Sequence, residues 1–385
     1  MDELLEWYDS CDGTILYLSG AQGVGKSWLV DELCSKRQEK YIKVSAEHLS
    51  YDIIKNIGIL VIHDINDKRG LDRAIRIILK IRSEAEFKNI RIIVESRFIA
   101  GNESMQSLLN DNYVKNIRVY PLNISEFASA VTRINAVDER DIIKLFLYVG
   151  GMPECVECFI RTGSLIMVRE IQHKIIESIK ENCSDKSRKI LDAISLHIKN
   201  GDTSFTYRRL GSNAREREYG NDVRELQNMG IIYKTERFDD KGFRLYMNDV
   251  GLMACMLDIK EYLMIREQEV LEVYDEALVK NFVVQEYNCH TKCDMHLSYW
   301  HRTRAKARLP FVVKEGADSV SIINLCIGVN YSKSVKSFCE KHKVNKIYNI
   351  YVDDVSKGRG DKSLHSVYSE NLSLSELDKI HEKCN

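Results

Sequence analysis

Apolar runs at 14–20, 41–45, 58–65, 91–96 and 117–122 mark the first 135 residues, and stretches of helical spacing separate them at 27–37, 70–86, 104–111 and 123–135. Within 70–86, Leu71, Ala74, Ile75, Ile78 and Leu79 recur at i, i+3, i+4, i+7 and i+8, which predicts an amphipathic helix. Repeated strand–helix units of this kind predict a parallel sheet covered on both faces, with ligands at the carboxyl ends of its strands.

The pattern changes after residue 135. Residues 138–184 read as helix throughout. Helices at 188–199 and 214–229 follow, then two strands at 231–236 and 243–247 joined by a turn at 239–242, the order of a winged-helix module. The last part mixes a helix at 275–287 with strands near 296–300, 309–313, 320–327 and 346–352. The expected fold class is therefore α/β: a P-loop NTPase parallel sheet (1–135), a helical lid region (136–184), a winged-helix-like domain (185–262) and a C-terminal α/β domain (263–385).

Composition narrows the picture a little. Apolar residues make up 44% and charged residues 29% of the 385, ordinary values for a globular protein. With a net charge of −1, the chain as a whole is no polyanion binder, though local basic patches remain open. No run of about 20 apolar residues exists and the first residues are acidic, so a cytoplasmic location without membrane contact is expected. The eleven cysteines are scattered. Cys155-x-x-Cys158 has no second pair, and Cys289, His290, Cys293 and His296 match no standard zinc spacing, so reduced thiols are the expectation.

The chemistry concentrates after the first strand. Gly20-Ala21-Gln22-Gly23-Val24-Gly25-Lys26-Ser27 followed by Trp28 has the spacing of a phosphate-binding loop, with a strand before it and a helix after it, as the motif requires. Glycines let backbone N–H groups approach a polyphosphate, and the helix N-terminus adds partial positive charge. Lys26 reaches the β- and γ-phosphates and Ser27 ligates Mg²⁺. The expected ligand is a nucleoside triphosphate, ATP, with Mg²⁺. A hydrolytic site also needs an apolar strand ending in carboxylates. The candidate is the strand at 59–66, where the acidic pair is reduced to His63-Asp64. Asp64 is open to three readings: metal ligand beside Ser27, base, or cap of the next turn. Ser96, ending the next strand, is a candidate contact to the γ-phosphate or the attacking water.

These motifs occur in an order that resembles prokaryotic AAA-family ATP-binding proteins carrying a C-terminal domain of unknown function with a restriction-endonuclease-like core. The resemblance runs through Val61-Ile-His-Asp-Ile-Asn66, Val94-Glu-Ser96, Tyr120-Pro-Leu-Asn-Ile-Ser-Glu-Phe127 and Val149-Gly-Gly-Met-Pro-Glu154. It continues through Val168-Arg-Glu-Ile-Gln172, Asn213-Ala-Arg-Glu-Arg-Glu-Tyr219, Phe243-Arg-Leu-Tyr-Met-Asn-Asp-Val-Gly-Leu252 and Asn281-Phe-Val-Val-Gln-Glu286. It implies ATP binding through the loop and Ser96. Hydrolysis is expected to be weak or absent, because His63 stands for the usual Asp and Asp64 for the usual Glu. In the C-terminal domain the positions of nuclease carboxylates read Lys280, Arg308 with Pro310, and Asn324 with Cys326, so no nuclease activity is expected.

A basic run, His301-Arg-Thr-Arg-Ala-Lys-Ala-Arg308, remains. Arg302, Arg304, Lys306 and Arg308, with Arg215 and Arg217 on the proposed winged helix, are candidates for DNA phosphates or for a solvated strand edge. Nucleotide-controlled binding of DNA or of a protein partner, a homo-oligomer, and a non-hydrolysing regulatory module all stay open.

Overall fold

A parallel strand buried on both faces needs helices above and below it, and the first sheet of the protein has them. The computed structural model describes residues 1–10, 14–45, 47–48, 54, 56–84, 87, 89–99, 114–133, 139–199, 204–260, 276–290, 295–302, 307–315, 319–326, 332–351, 368–373, 376–377 and 380. They fall into two compact units, residues 1–121 with 224–231, and residues 122–223 with 232–385. The helix expected at 104–111 lies outside the described residues.

In the first unit, helix α1 (Asp2–Asp9) precedes β1 (Ile15–Gly20), α2 (Lys26–Arg37), β2 (Tyr41–Ser45), β3 (Ile59–Ile65), α3 (Lys68–Ser83), β4 (Arg91–Ser96) and β5 (Val114–Val119). The strands are parallel in the order β2-β3-β4-β1-β5. Side chains alternate between the two faces, as a strand's period of two requires. Ile15, Tyr17, Leu60, Ile62, Ile92 and Val94 pack with Leu71, Ala74, Ile75 and Ile78 of α3. Leu16, Leu18, Ile59, Val61 and Ile93 pack on the opposite face with Val30 and Leu33 of α2 and Leu4 and Trp7 of α1. Helix α1 escapes the sequence reading because it is short and its charges dominate the pattern. Strand β5 begins and ends earlier than expected. It stops before Pro121, which has no N–H for a ladder, and its Lys115 and Asn116 are exposed. Residues 224–231 complete this unit: Asn228 accepts a hydrogen bond from Ile99 N–H at 2.7 Å, and Gly230 (φ 69°) lies close to Ala21 and Ile99.

The second unit opens on five helices, Ile124–Thr132, Glu139–Val149, Pro153–Thr162, Leu165–Glu181 and Asp185–Lys199. Its sheet runs β12-β11-β10-β9-β8-β6-β7. Here β6 (Ile232–Arg237) and β7 (Phe243–Met247) form the expected hairpin, and β8 (Met295–His301), β9 (Arg308–Glu315), β10 (Ser319–Cys326), β11 (Lys346–Tyr351) and β12 (Tyr368–Ser373) form the C-terminal part. The division differs from the four-segment expectation. The hairpin does not close a separate module: β6 pairs in parallel with β8 at Glu236↔Ser298 and Arg237↔Tyr299. Helix Ile124–Thr132, expected in the first domain, belongs to the second unit. Hydrophobic pattern locates strands, but long-range pairing between strands has no local signature, and here the pairing with β8 covers the β6 edge of the hairpin while β7 ends the sheet.

One buried carboxylate ties this unit together. Asp249 caps helix Val250–Met256 by accepting from Leu252 N–H at 2.9 Å, and its other oxygen accepts from Gly151 N–H at 2.6 Å. Burial pushes its pKa up to about 6, against the pull of backbone N–H groups from Leu252, Gly151, Gly251 and Met152. An acid whose folded pKa exceeds its unfolded value favours the fold below the unfolded pKa and loses that contribution as pH rises through the folded one. The stability advantage of wild type over Asp249→Asn is therefore expected to shrink between about pH 4 and 7, measured as urea unfolding free energies at several pH values.

Candidate functional site

The phosphate-loop sequence sits at the carboxyl end of β1, between that strand and α2. Gly25 is the N-cap of α2 and holds the left-handed region (φ 91°), which a side chain would strain. Ala21 and Val24 turn inward and are buried, whereas Gln22, Gly23, Gly25, Lys26, Ser27 and Trp28 line a cavity of about 460 Å³. Lys43, His63, Asp64, Ile65, Asn66, Glu95, Ser96 and Arg97 complete its wall.

Lys26 is folded back into the loop. Its Nζ donates to the carbonyls of Gly20 at 2.8 Å and Ala21 at 2.7 Å. Burial pushes its pKa down to about 8, Glu95 opposing the shift and Arg97 adding to it. Trp28, one residue beyond the loop, is 64% exposed. Lys43 of β2 pairs with Asp31 at 2.7 Å and donates to the Ser27 carbonyl at 3.2 Å, and Arg97 donates to the Gln22 side chain at 3.0 Å. Two further cations therefore face the loop.

The carboxylate that meets Ser27 is that of Glu95, which accepts from the Ser27 hydroxyl. Asp64 pairs instead with His63, Oδ2 to Nδ1 at 2.9 Å, and its side chain is 61% exposed. The cause is visible in the β3–β4 register. Ile62 pairs with Val94 and Ile65 with Ser96, so His63 and Asp64 together oppose the single residue Glu95. That extra residue bulges the strand, and Asp64 takes a left-handed conformation (φ 62°). Ser96 is buried at the cavity wall with its hydroxyl engaged. It donates to the Ile65 carbonyl at 3.0 Å, accepts from Phe98 N–H at 2.9 Å, and lies 2.9 Å from the Tyr17 hydroxyl. Burial pushes the Tyr17 phenol up to about 12.

Sequence reasoning missed Glu95, Lys43 and Arg97. For Glu95 a signal existed: Ile93 packs on the α2 face, so two residues on, Glu95 returns to the same face and points toward the first turn of α2. The same alternation sends Ser96 to the other face, beside Tyr17.

The basic candidates are not gathered in this way. Arg215 and Arg217 are exposed at the start of helix Glu216–Asn228, interleaved with exposed Glu216 and Glu218. Arg302 is exposed and Arg304 and Lys306 lie outside the described residues. Arg308 is 3.8 Å from Glu276, which also holds Lys280 at 2.8 Å. Glu276 thus supplies a carboxylate one turn before Lys280 on helix Glu276–His290, and two cations cover it. Burial pushes Lys280 down to about 8. Asn324 donates to Asn349 at 2.8 Å. Cys155 and Cys158 are buried free thiols. Among the described residues no group of three or more His, Cys, Asp or Glu side chains could hold a metal, and no helix is long and apolar enough to cross a membrane.

Residues 140–263, which belong to the second unit except for 224–231, match the family described as Domain of unknown function (DUF8612). No curated protein matches the sequence. Among solved structures the chain is similar to the Walker-type ATPase PABY2304 of Pyrococcus abyssi, with 14% identity over 66% of this chain and 93% of that one and a TM-score of 0.48. It is similar to the Aeropyrum pernix ORC1 protein in complex with DNA, with 13% identity, 64% and 87% coverage and a TM-score of 0.35. The Cdc6p of Pyrobaculum aerophilum follows with 12% identity, 67% and 93% coverage and a TM-score of 0.29. All three scores lie below 0.5.

Proposed function

We propose that the first unit binds ATP with Mg²⁺ and hydrolyses it slowly or not at all. The observation that carries this reading is the loop itself: β1 leads through Gly20–Gly25 onto the N-terminus of α2, with Lys26 poised beneath a cavity of about 460 Å³. The glycine-rich backbone supplies N–H groups to the phosphates, and Lys26 exchanges two carbonyl oxygens for phosphate oxygens. Lys43 and Arg97 add positive charge at the wall of the same cavity. The hard-oxygen pair of Ser27 and Glu95 suits Mg²⁺ better than the His63-Asp64 end of β3, where an imidazole replaces an oxygen donor. When bound, Mg²⁺ would neutralise the phosphate charge.

Slow turnover follows from the residues around that cavity. Asp64 is held by the bulge and by His63, and the Ser96 hydroxyl already serves Ile65 and Phe98. Neither is placed to orient a water, and small misplacements of such groups cost orders of magnitude in rate. Calorimetry of the purified chain with ATP and ADP, paired with a phosphate-release assay, tests both halves. Binding with turnover far below the ~1–10³ s⁻¹ usual for enzymes is expected. Absence of binding heat would refute the nucleotide reading, and turnover within that range would refute the slow one.

A further inference from the structure

We infer that Glu95, on β4, has taken over from the end of β3 as the carboxylate that holds the divalent cation of the nucleotide. The inference rests on the ATP-binding reading and specifies its metal side. Three independent features of Glu95 support it. Its residue is only 9% exposed, yet it sits on the wall of the phosphate-loop cavity. One oxygen accepts from the Ser27 hydroxyl, the group that ligates the cation in a loop of this kind. The other oxygen is buried and has no hydrogen-bond partner among the described residues.

An orphaned carboxylate oxygen is costly to bury, more so than a neutral polar atom. Such an atom is retained where a ligand supplies its partner. Lys26, whose charge interacts with that of Glu95, is committed to the Gly20 and Ala21 carbonyls and moves to phosphate when nucleotide binds. A hard divalent cation with an oxygen ligand shell fits what remains. The displacement also has a structural origin. The β3 bulge sets two residues, His63 and Asp64, against Glu95, turns Asp64 outward, and leaves an imidazole at the strand position that follows Val61 on the α2 face. The neighbouring strand supplies the missing acid from the same face.

This arrangement makes the cation decisive for affinity. Without it, a buried carboxylate faces the phosphates as a like charge; with it, the same carboxylate becomes a ligand. The test compares ATP affinity in Mg²⁺ and in EDTA, by calorimetry, for the full chain, Glu95→Gln and Asp64→Asn. Wild type and Asp64→Asn are expected to gain about tenfold or more from Mg²⁺, and Glu95→Gln about threefold or less, with its EDTA affinity equal to or tighter than wild type. Manganese binding in the presence of ADP, read by electron paramagnetic resonance, should weaken in Glu95→Gln alone. If that variant does not fold, Glu95→Asp, which keeps the charge but shortens the reach, is expected to show the same weakening of manganese. Full Mg²⁺ gain in Glu95→Gln, or its loss in Asp64→Asn alone, overturns the assignment. Wild type that binds ATP equally with and without Mg²⁺ overturns it while leaving nucleotide binding intact. Wild type that binds no nucleotide at all overturns both.

Discussion

Lys26→Ala is expected to weaken ATP binding roughly 100- to 10⁴-fold while leaving the fold intact. The estimate comes from two charge-assisted hydrogen bonds to phosphate at about 1.5–3 kcal/mol each, without substitutes on the short alanine side chain. In the free protein the ammonium gives those bonds to the carbonyls of Gly20 and Ala21. Its burial opposes its charge, as the fall of its pKa to about 8 records. Losing the two carbonyl contacts therefore also removes the desolvation of a buried cation, and the two changes offset each other in the unliganded fold. Thermal unfolding should separate the roles: similar midpoints for the two proteins alone, and a rise with saturating ATP in wild type only. Exposed Trp28, beside the loop, offers a fluorescence readout of the same titration. A variant that binds ATP as tightly as wild type would mean that nucleotide, if bound, uses another part of the cavity.

The largest expected loss of stability is for Asp249→Ala, at least about 2 kcal/mol. Alanine removes the carboxylate that caps helix Val250–Met256 and leaves the N–H groups of Leu252 and Gly151 buried without an acceptor, each costing about 1–3 kcal/mol. The surroundings cannot relax to satisfy them. Gly151 is pressed against Leu122: a Cβ at this position would meet the Leu122 carbonyl oxygen at 2.0 Å. Leu122 N–H in turn donates to the Gly151 carbonyl at 2.7 Å. Gly150 occupies the left-handed region with φ 74°, and its own Cβ position lies 2.3 Å from an Asp249 oxygen. Urea unfolding of the full chain, followed by far-ultraviolet circular dichroism, measures the loss. A change below about 1 kcal/mol would show that water replaces the carboxylate.

Much of the first unit can be read from its residues. The runs that form β1, β3 and β4 are apolar because both faces of those strands are covered, and Leu71, Ala74, Ile75 and Ile78 mark the buried side of α3 as their spacing predicts. The loop from Gly20 to Ser27 is legible because few other demands call for that spacing of glycines before Lys-Ser. What escaped depends on pairing. Glu95 looks like an interruption in an apolar strand until the alternation from Ile93 is followed to the α2 face. The outward turn of Asp64 requires the β3–β4 register, which no local pattern encodes. The sharing of one sheet by the hairpin 232–247 and the C-terminal strands is likewise a long-range pairing. Ser96 is legible as a strand-end position, but two of its hydroxyl partners, Tyr17 on β1 and Ile65 on β3, come from other strands.

The first unit is not a contiguous stretch of chain. Its last piece, 224–231, is encoded about a hundred residues after Pro121, and it is this piece that receives the Ile99 N–H at Asn228 and sets Gly230 beside Ala21 of the phosphate loop. A gene fragment ending at Pro121 omits it, and one long enough to include it carries the intervening helices as well. No single cut in the coding sequence yields this unit whole; a minimal version requires 224–231 to be grafted back through a new linker or a circular permutation.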